Sequence, residues 1–236
     1  MVGYSCLAQN QRDTLNILFV GNSYVHVENT PHIVSIISDS TKTKLVTSKS
    51  TAGGARLSDH WNGERGLTTK EKIQNGGFDI VLLQEQSMGT IEQPDSFLIY
   101  SKKFCDFIKE NGAIPYFYST WARQKVPQNQ EIISEKYAQA ALENEAGIVK
   151  IGEAWALAQK LRPTIELYMS DGSHQSSLGA LLTACVIVGT LTGEVPEDLR
   201  FWFTVLDERG EEVALMVEDP LDISFCLKIA SEITKE

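Results

Sequence analysis

Two short runs, Ile17-Leu18-Phe19-Val20 and Ile80-Val81-Leu82-Leu83, constrain this chain more than any other feature. Neither alternates between apolar and polar residues, and both are too short to be helices. Such runs predict strands buried on both faces, as in a parallel sheet. Further strand patterns fall at 44–48, 114–119 and 148–151, and the run at 80–83 extends back to Phe78. Helical spacing lies between them. Asn29-Thr30-Pro31 opens a helix carried by Ile33, Ile36 and Ile37 to about residue 40, and Leu57, His60 and Trp61 share one side of another. Helices are also expected at 96–111, 129–145, 153–161, 178–191 and 221–234. Strands alternating with helices predict an α/β fold with a parallel sheet.

The 236 residues suit one large α/β domain, here 14–236, with no repeats or linkers. A net charge of −10 with no basic stripe argues against nucleic acid as a partner, since phosphate binding needs clustered Lys and Arg. Cys6, Cys105, Cys185 and Cys226 are far apart and form no Cys/His ligand cluster, so no metal site is expected. Cys105 and Cys185 fall on apolar helix faces and read as small buried hydrophobes. No apolar run approaches the ~20 residues of a membrane span. Residues 1–13, with Ser5-Cys6-Leu7-Ala8-Gln9, read as a leader or the end of a secretory signal. That reading favours an exported protein, with a cytoplasmic one as the alternative.

Chemistry-bearing residues gather at the ends of the expected strands and in one late loop. Ser23 follows Val20-Gly21-Asn22, where a parallel strand meets its loop and open α/β sheets hold ligands. Gly53-Gly54 follows the second strand, Gln84-Glu85-Gln86-Ser87 the third, and Asp171-Gly172-Ser173-His174 precedes an apolar helix. Parallel strands let these loops converge on one rim. Serine, histidine and carboxylate together are the parts of an acyl-transfer site: the imidazole takes the serine proton and the carboxylate fixes its tautomer. Each group also has a plainer role. Asn22, Ser23 and Asp171 suit helix caps or Asx-turns, Gly53-Gly54 a turn, and Gln84–Gln86 a solvated strand end. Asp59-His60 is a decoy pair whose adjacent side chains diverge on a helix. His26 and His32 fit no metal spacing, and Trp61, Trp121 and Trp155 read as core.

Taken in order, these blocks resemble the SGNH hydrolases, or GDSL esterases and lipases, over roughly residues 16–192. Gly21-Asn22-Ser23-Tyr24 matches the first block, with Asn22 where Asp is usual, and Gly54 the glycine of the second. Asp171-x-x-His174 matches the last. The third block departs, with Gln84-Glu85-Gln86-Ser87 in place of Gly-x-Asn-Asp, a variant that looks like a branch from gut Bacteroidetes. The resemblance implies a three-layer, flavodoxin-like α/β/α domain with five parallel strands. It implies Ser23 as nucleophile, His174 as base and Asp171 as its partner. The amides of Ser23 and Gly54 would form an oxyanion hole with the side chain of Gln86, or of Gln84 as the alternative. Asn22, Gln84 and His26 would line the pocket, and no cofactor is needed. The expected substrate is a small-molecule or carbohydrate ester with a short acyl group, such as O-acetyl on a sugar. The rivals are a lipase or thioesterase for longer chains, and a carbohydrate-binding protein on a degenerate hydrolase fold.

Overall fold

The computed structural model describes residues 13–235. The expected leader at 1–13, and Cys6 with it, lies outside them except for Asp13, which already belongs to the first strand. Five parallel strands form the central sheet: β1 (Asp13–Gly21), β2 (Thr43–Thr51), β3 (Ile80–Leu83), β4 (Ile114–Tyr118) and β5 (Gly147–Val149). Their spatial order is β2-β1-β3-β4-β5. Around them run α1 (Ser23–His26), α2 (Thr30–Ser38), α3 (Leu57–Asn62), α4 (Thr69–Asn75), α5 (Gly89–Glu92), α6 (Pro94–Glu110), α7 (Asn129–Glu143), α8 (Ile151–Leu161), α9 (Ser177–Thr192) and α10 (Pro220–Ile233). The three-layer α/β/α reading therefore holds.

The unbroken apolar runs are explained by which residues face which layer. Ile17 and Phe19 of β1, with Ile80 and Leu82 of β3, enter a core shared with α2, α8, α9 and α10. Leu18 and Val20, with Val81 and Leu83, face the opposite core against α3, α6 and α7. Each strand alternates in direction, and both directions are dry. Helix α9 carries the same logic further, since every residue from Leu178 to Gly189 is buried. It is covered on its outer side by α10, so it is apolar all round. Cys185 and Cys105 are free and buried, and burial pushes both thiols up to about 12. They are inert packing residues.

The region after α9 holds strands that the sequence patterns above do not include. It forms an antiparallel hairpin, β6 (Trp202–Leu206) and β7 (Glu212–Val217), outside the main sheet. Phe203 and Met216 pair across it and point inward, while Trp202 and Val217 pair on the exposed face. Short helices α1, α4 and α5 are also present, each with too few turns for a periodic pattern to show.

The layer packing makes a direct prediction. Phe19→Ala, at a fully buried position, should cost about 3–5 kcal/mol in urea unfolding. Leu142→Ser, at a site 84% exposed on α7, should stay within about 0.5 kcal/mol of the wild type.

Candidate active site

The nucleophile loop is built from the end of β1 outward. Gly21 has no Cβ, and the space is taken by the side-chain oxygen of Gln84. That oxygen, Oε1, accepts the Asn22 amide at 2.9 Å and fixes the turn. Asn22 then caps α1, with its Oδ1 accepting the Tyr24 amide at 3.0 Å. Its Nδ2 donates to the Ala55 carbonyl at 3.0 Å, tying this turn to the loop after β2. Ser23 is the first residue of α1 and remains half-buried.

The late loop meets it from the other end of the chain. Gly172 has φ +67, a left-handed conformation suited to glycine. Asp171 Oδ1 accepts the amides of Ser173 and His174 at 2.9 and 3.0 Å. Its Oδ2 accepts from His174 Nδ1 at 2.5 Å. With that nitrogen carrying the proton, Nε2 is free to accept from the Ser23 hydroxyl, 2.8 Å away. The Asx-turn expected of Asp171 as ordinary loop chemistry is thus present, and it aims the second carboxylate oxygen at the imidazole. The hydrogen bond from His174, and then the loop amides, hold the Asp171 carboxyl down at about 2. It stays ionised over the working pH range.

An aromatic column supports this loop, and its role was not legible from spacing. Tyr24, Trp121 and Trp155 stack in parallel, with centroids 4.6 and 4.0 Å apart. The Tyr24 hydroxyl lies 2.7 Å from Ser173 Oγ, and Trp121 Nε1 donates to the Ser173 carbonyl at 2.9 Å. Tyr24 also sets its ring edge-on to His174 at 5.6 Å. Gln175, wholly buried, donates to the carbonyls of Tyr24 and Val27 at 3.1 and 2.9 Å. Trp121 and Trp155 are core residues, as expected, but two residues of the nucleophile helix and the histidine loop lean on that core. A signal existed, since Tyr24 and Ser173 each adjoin a motif residue.

The third strand end corrects one expectation. Gln84 is fully buried, with its oxygen on Asn22 and its amide nitrogen donating to the Glu85 carbonyl. It braces the nucleophile turn, with one N–H of its amide used on the Glu85 carbonyl. This is not a solvated strand end, because Glu85 is buried as well. Gln86 is half-buried; its Oε1 accepts the Met88 amide at 2.8 Å and its Nε2 faces Ser87 Oγ at 3.3 Å. It makes no hydrogen bond to Ser23 or Gly54 among the described residues. Gly53 and Gly54 are exposed in the turn after β2, and Gly54 has φ +66.

The remaining pocket candidates separate. Asn22 is buried, and its side chain is occupied by the two bonds above, so it shapes the turn from behind. His26 is half-buried beside the nucleophile helix, with Nδ1 enclosed and unbonded. Burial first, then Lys49 and His174, lower its pKa. His32 is exposed. His60 and Asp59 diverge as expected, but His60 has a defined structural task. Its Nε2 donates to the Gly21 carbonyl at 2.9 Å, and its Nδ1 accepts from Thr69 at 2.7 Å. Among the described residues no group of three or more His, Cys, Asp or Glu side chains could hold a metal ion, and no helix is long and apolar enough to cross a membrane.

This arrangement, a parallel five-stranded sheet with Ser, His and Asp linked at its carboxyl rim, is that of the SGNH hydrolase fold. A structure described as a candidate SGNH hydrolase from Slackia heliotrinireducens is 26% identical, with a TM-score of 0.63, over 76% of this chain and 100% of that one. A DUF4886 family protein from Bacteroides uniformis is 16% identical with a TM-score of 0.74, covering 93% of this chain and 94% of its own. An acetyl xylan esterase superposes with a TM-score of 0.60 at 11% identity, over 75% of this chain and 100% of that one. These likenesses show the fold. No family model matches the chain, and no curated protein does.

His60 makes stability beneath the site depend on pH. Burial lowers its pKa from 6.5 to about 4. Between those values the unfolded chain binds the proton and the folded one does not, so stability falls as pH drops from about 6.5 to 4. The full difference is about 3 kcal/mol at 1.36 kcal/mol per pH unit. Urea unfolding of wild type and His60→Gln should show this fall in the wild type and a shallower one in the variant.

Proposed function

We propose that this protein is a serine hydrolase that cleaves small carboxylic esters through an acyl-serine intermediate. One observation carries the reading: the unbroken relay from Ser23 Oγ through His174 to Asp171, with distances of 2.8 and 2.5 Å. In this mechanism His174 Nε2 takes the Ser23 proton as Oγ attacks the ester carbonyl. Asp171 holds the Nδ1 proton and stabilises the imidazolium that forms. The negative oxygen of the tetrahedral intermediate is met by the amides of Ser23 and Gly54. Ser23 opens α1, where amides have no helical partner, and Gly54 N makes no hydrogen bond to another described residue. The free N–H of Gln86 is the third donor.

Collapse of the intermediate expels the alcohol, which receives the proton from His174. Water, deprotonated by the same imidazole, then hydrolyses the acyl-serine and regenerates the hydroxyl. No metal or organic cofactor enters either half. Ser23 is half-buried and Asp171 exposed, an open rim that favours a short acyl group on a bulky alcohol, such as acetyl on a carbohydrate. The fold shared with an acetyl xylan esterase is in keeping with that choice. A binding protein on a degenerate hydrolase fold would have no use for a relay aligned this way. Export from the cytoplasm remains part of the proposal, resting on the leader-like sequence alone.

Hydrolysis of p-nitrophenyl acetate tests the reading. Ser23→Ala and His174→Ala should each lower kcat by about 10³-fold or more, with circular dichroism unchanged. Equal rates in all three proteins would contradict it.

A further inference from the structure

The buried carboxyl of Glu85 lies next to the site, and the mechanism above does not use it. It stands two residues beyond β3 and is only 3% exposed. Its Oε2 accepts the Leu57 amide at 3.1 Å, and its Oε1 accepts the Gln86 amide at 2.7 Å. Those amides lie on the two segments that carry Gly54 and the Gln86 side chain. Its own amide donates to the Tyr137 hydroxyl at 3.0 Å, anchoring the backbone from α7. The surroundings are shaped to it: a Cβ at Gly89 would come within 2.6 Å of Glu85 Cγ and Oε1.

We propose that Glu85 is a positioning residue for the oxyanion hole, its ionised carboxylate clamping the loop after β2 to the loop after β3. This inference rests on the esterase reading. The loop carrying Gly54 is also fastened by the Ala52 amide to the Gly21 carbonyl at 3.4 Å, by Asn22 to Ala55, and by Arg65 Nη1 to the Gly53 carbonyl at 2.9 Å. The first two bonds lead back to the nucleophile turn, and an exposed pair, Arg56 with Glu92 at 3.4 Å, reaches past the third block to α5. The Glu85–Leu57 bond is the buried link to the third block itself, so it fixes the spacing between the Gly54 amide and Gln86.

A carboxylate can accept both amides at full strength; a protonated carboxyl must turn a hydroxyl toward one of them. Protonation therefore loosens one side of the clamp. Burial pushes the Glu85 carboxyl up to about 7, opposed by the two amides and by Arg56, and aided by Asp59. Arg56, Asp59 and Tyr137 are the titratable groups facing it, from the start of α3 and from α7. The clamp thus closes with rising pH across neutrality, independently of His174.

The test compares wild type, Glu85→Gln and Ser23→Ala on p-nitrophenyl acetate across pH, with amide NMR of the wild type. Glu85→Gln places an NH2 against one backbone N–H. Its kcat should fall about 10- to 100-fold with little change in KM, the size expected for donors displaced by a fraction of an ångström. Its pH profile should lose one ionisation that the wild type has. In the wild type, the Leu57 and Gln86 amide resonances should shift together with a midpoint near 7, an observation that does not require the variant to fold. An unaltered pH profile in Glu85→Gln beside an inactive Ser23→Ala would overturn the clamp and leave the esterase intact. Amides that do not titrate would overturn it too. Full activity in Ser23→Ala would overturn both.

Discussion

The hydrogen bond between Ser23 and His174 joins residues 151 positions apart, and the rest of the structure is arranged to keep it short. Neither side chain is held by its own element alone. Ser23 depends on the turn set by Gln84 and capped by Asn22, and His174 on the Asx-turn of Asp171. Each bond is worth only about 0.5–1.5 kcal/mol net. Their value at the site is geometric, because proton transfer needs heavy atoms within about 3.2 Å. The aromatic column serves the same end. Tyr24 is joined to the nucleophile helix by the chain and to the histidine loop by its hydroxyl, with Trp121 and Trp155 stacked behind it.

The sheet turns these local devices into a common rim. Because β1, β2 and β3 are parallel neighbours, their carboxyl ends deliver Ser23, Gly54 and Gln86 to the same side. The double-sided burial of β1 makes that rim rigid. Isolated helices as short as α1 are marginal in water. Here α1 survives because Tyr24 and Val25 are buried against the core while Asn22 satisfies its first turn.

Much of this was legible in the sequence, and what was missed has physical causes. The parallel strands announced themselves through unbroken apolar runs, and Ser23, Asp171 and His174 through spacing and order. The hairpin β6–β7 was obscured because both its faces carry apolar residues: Phe203 inside, Trp202 and Val217 outside, so no period-2 signal stands out. The burial of Gln84 and Glu85 was hidden because polar residues at a strand end are usually solvated. Their partners Asn22 and Leu57 lie 62 and 28 positions away, and local pattern cannot reveal a bond at that separation. His60 was a decoy as a catalytic base but not idle; its partner, the Gly21 carbonyl, belongs to another element.

The central claim is that Ser23 is a nucleophile activated by His174. The most direct measurement is reaction with a fluorophosphonate probe, followed by intact-mass analysis and peptide mapping. The account predicts one phosphonyl group per chain, on Ser23, and its loss in His174→Ala despite the intact hydroxyl. No adduct on the folded wild-type protein, or an adduct on another residue with Ser23 untouched, would contradict it.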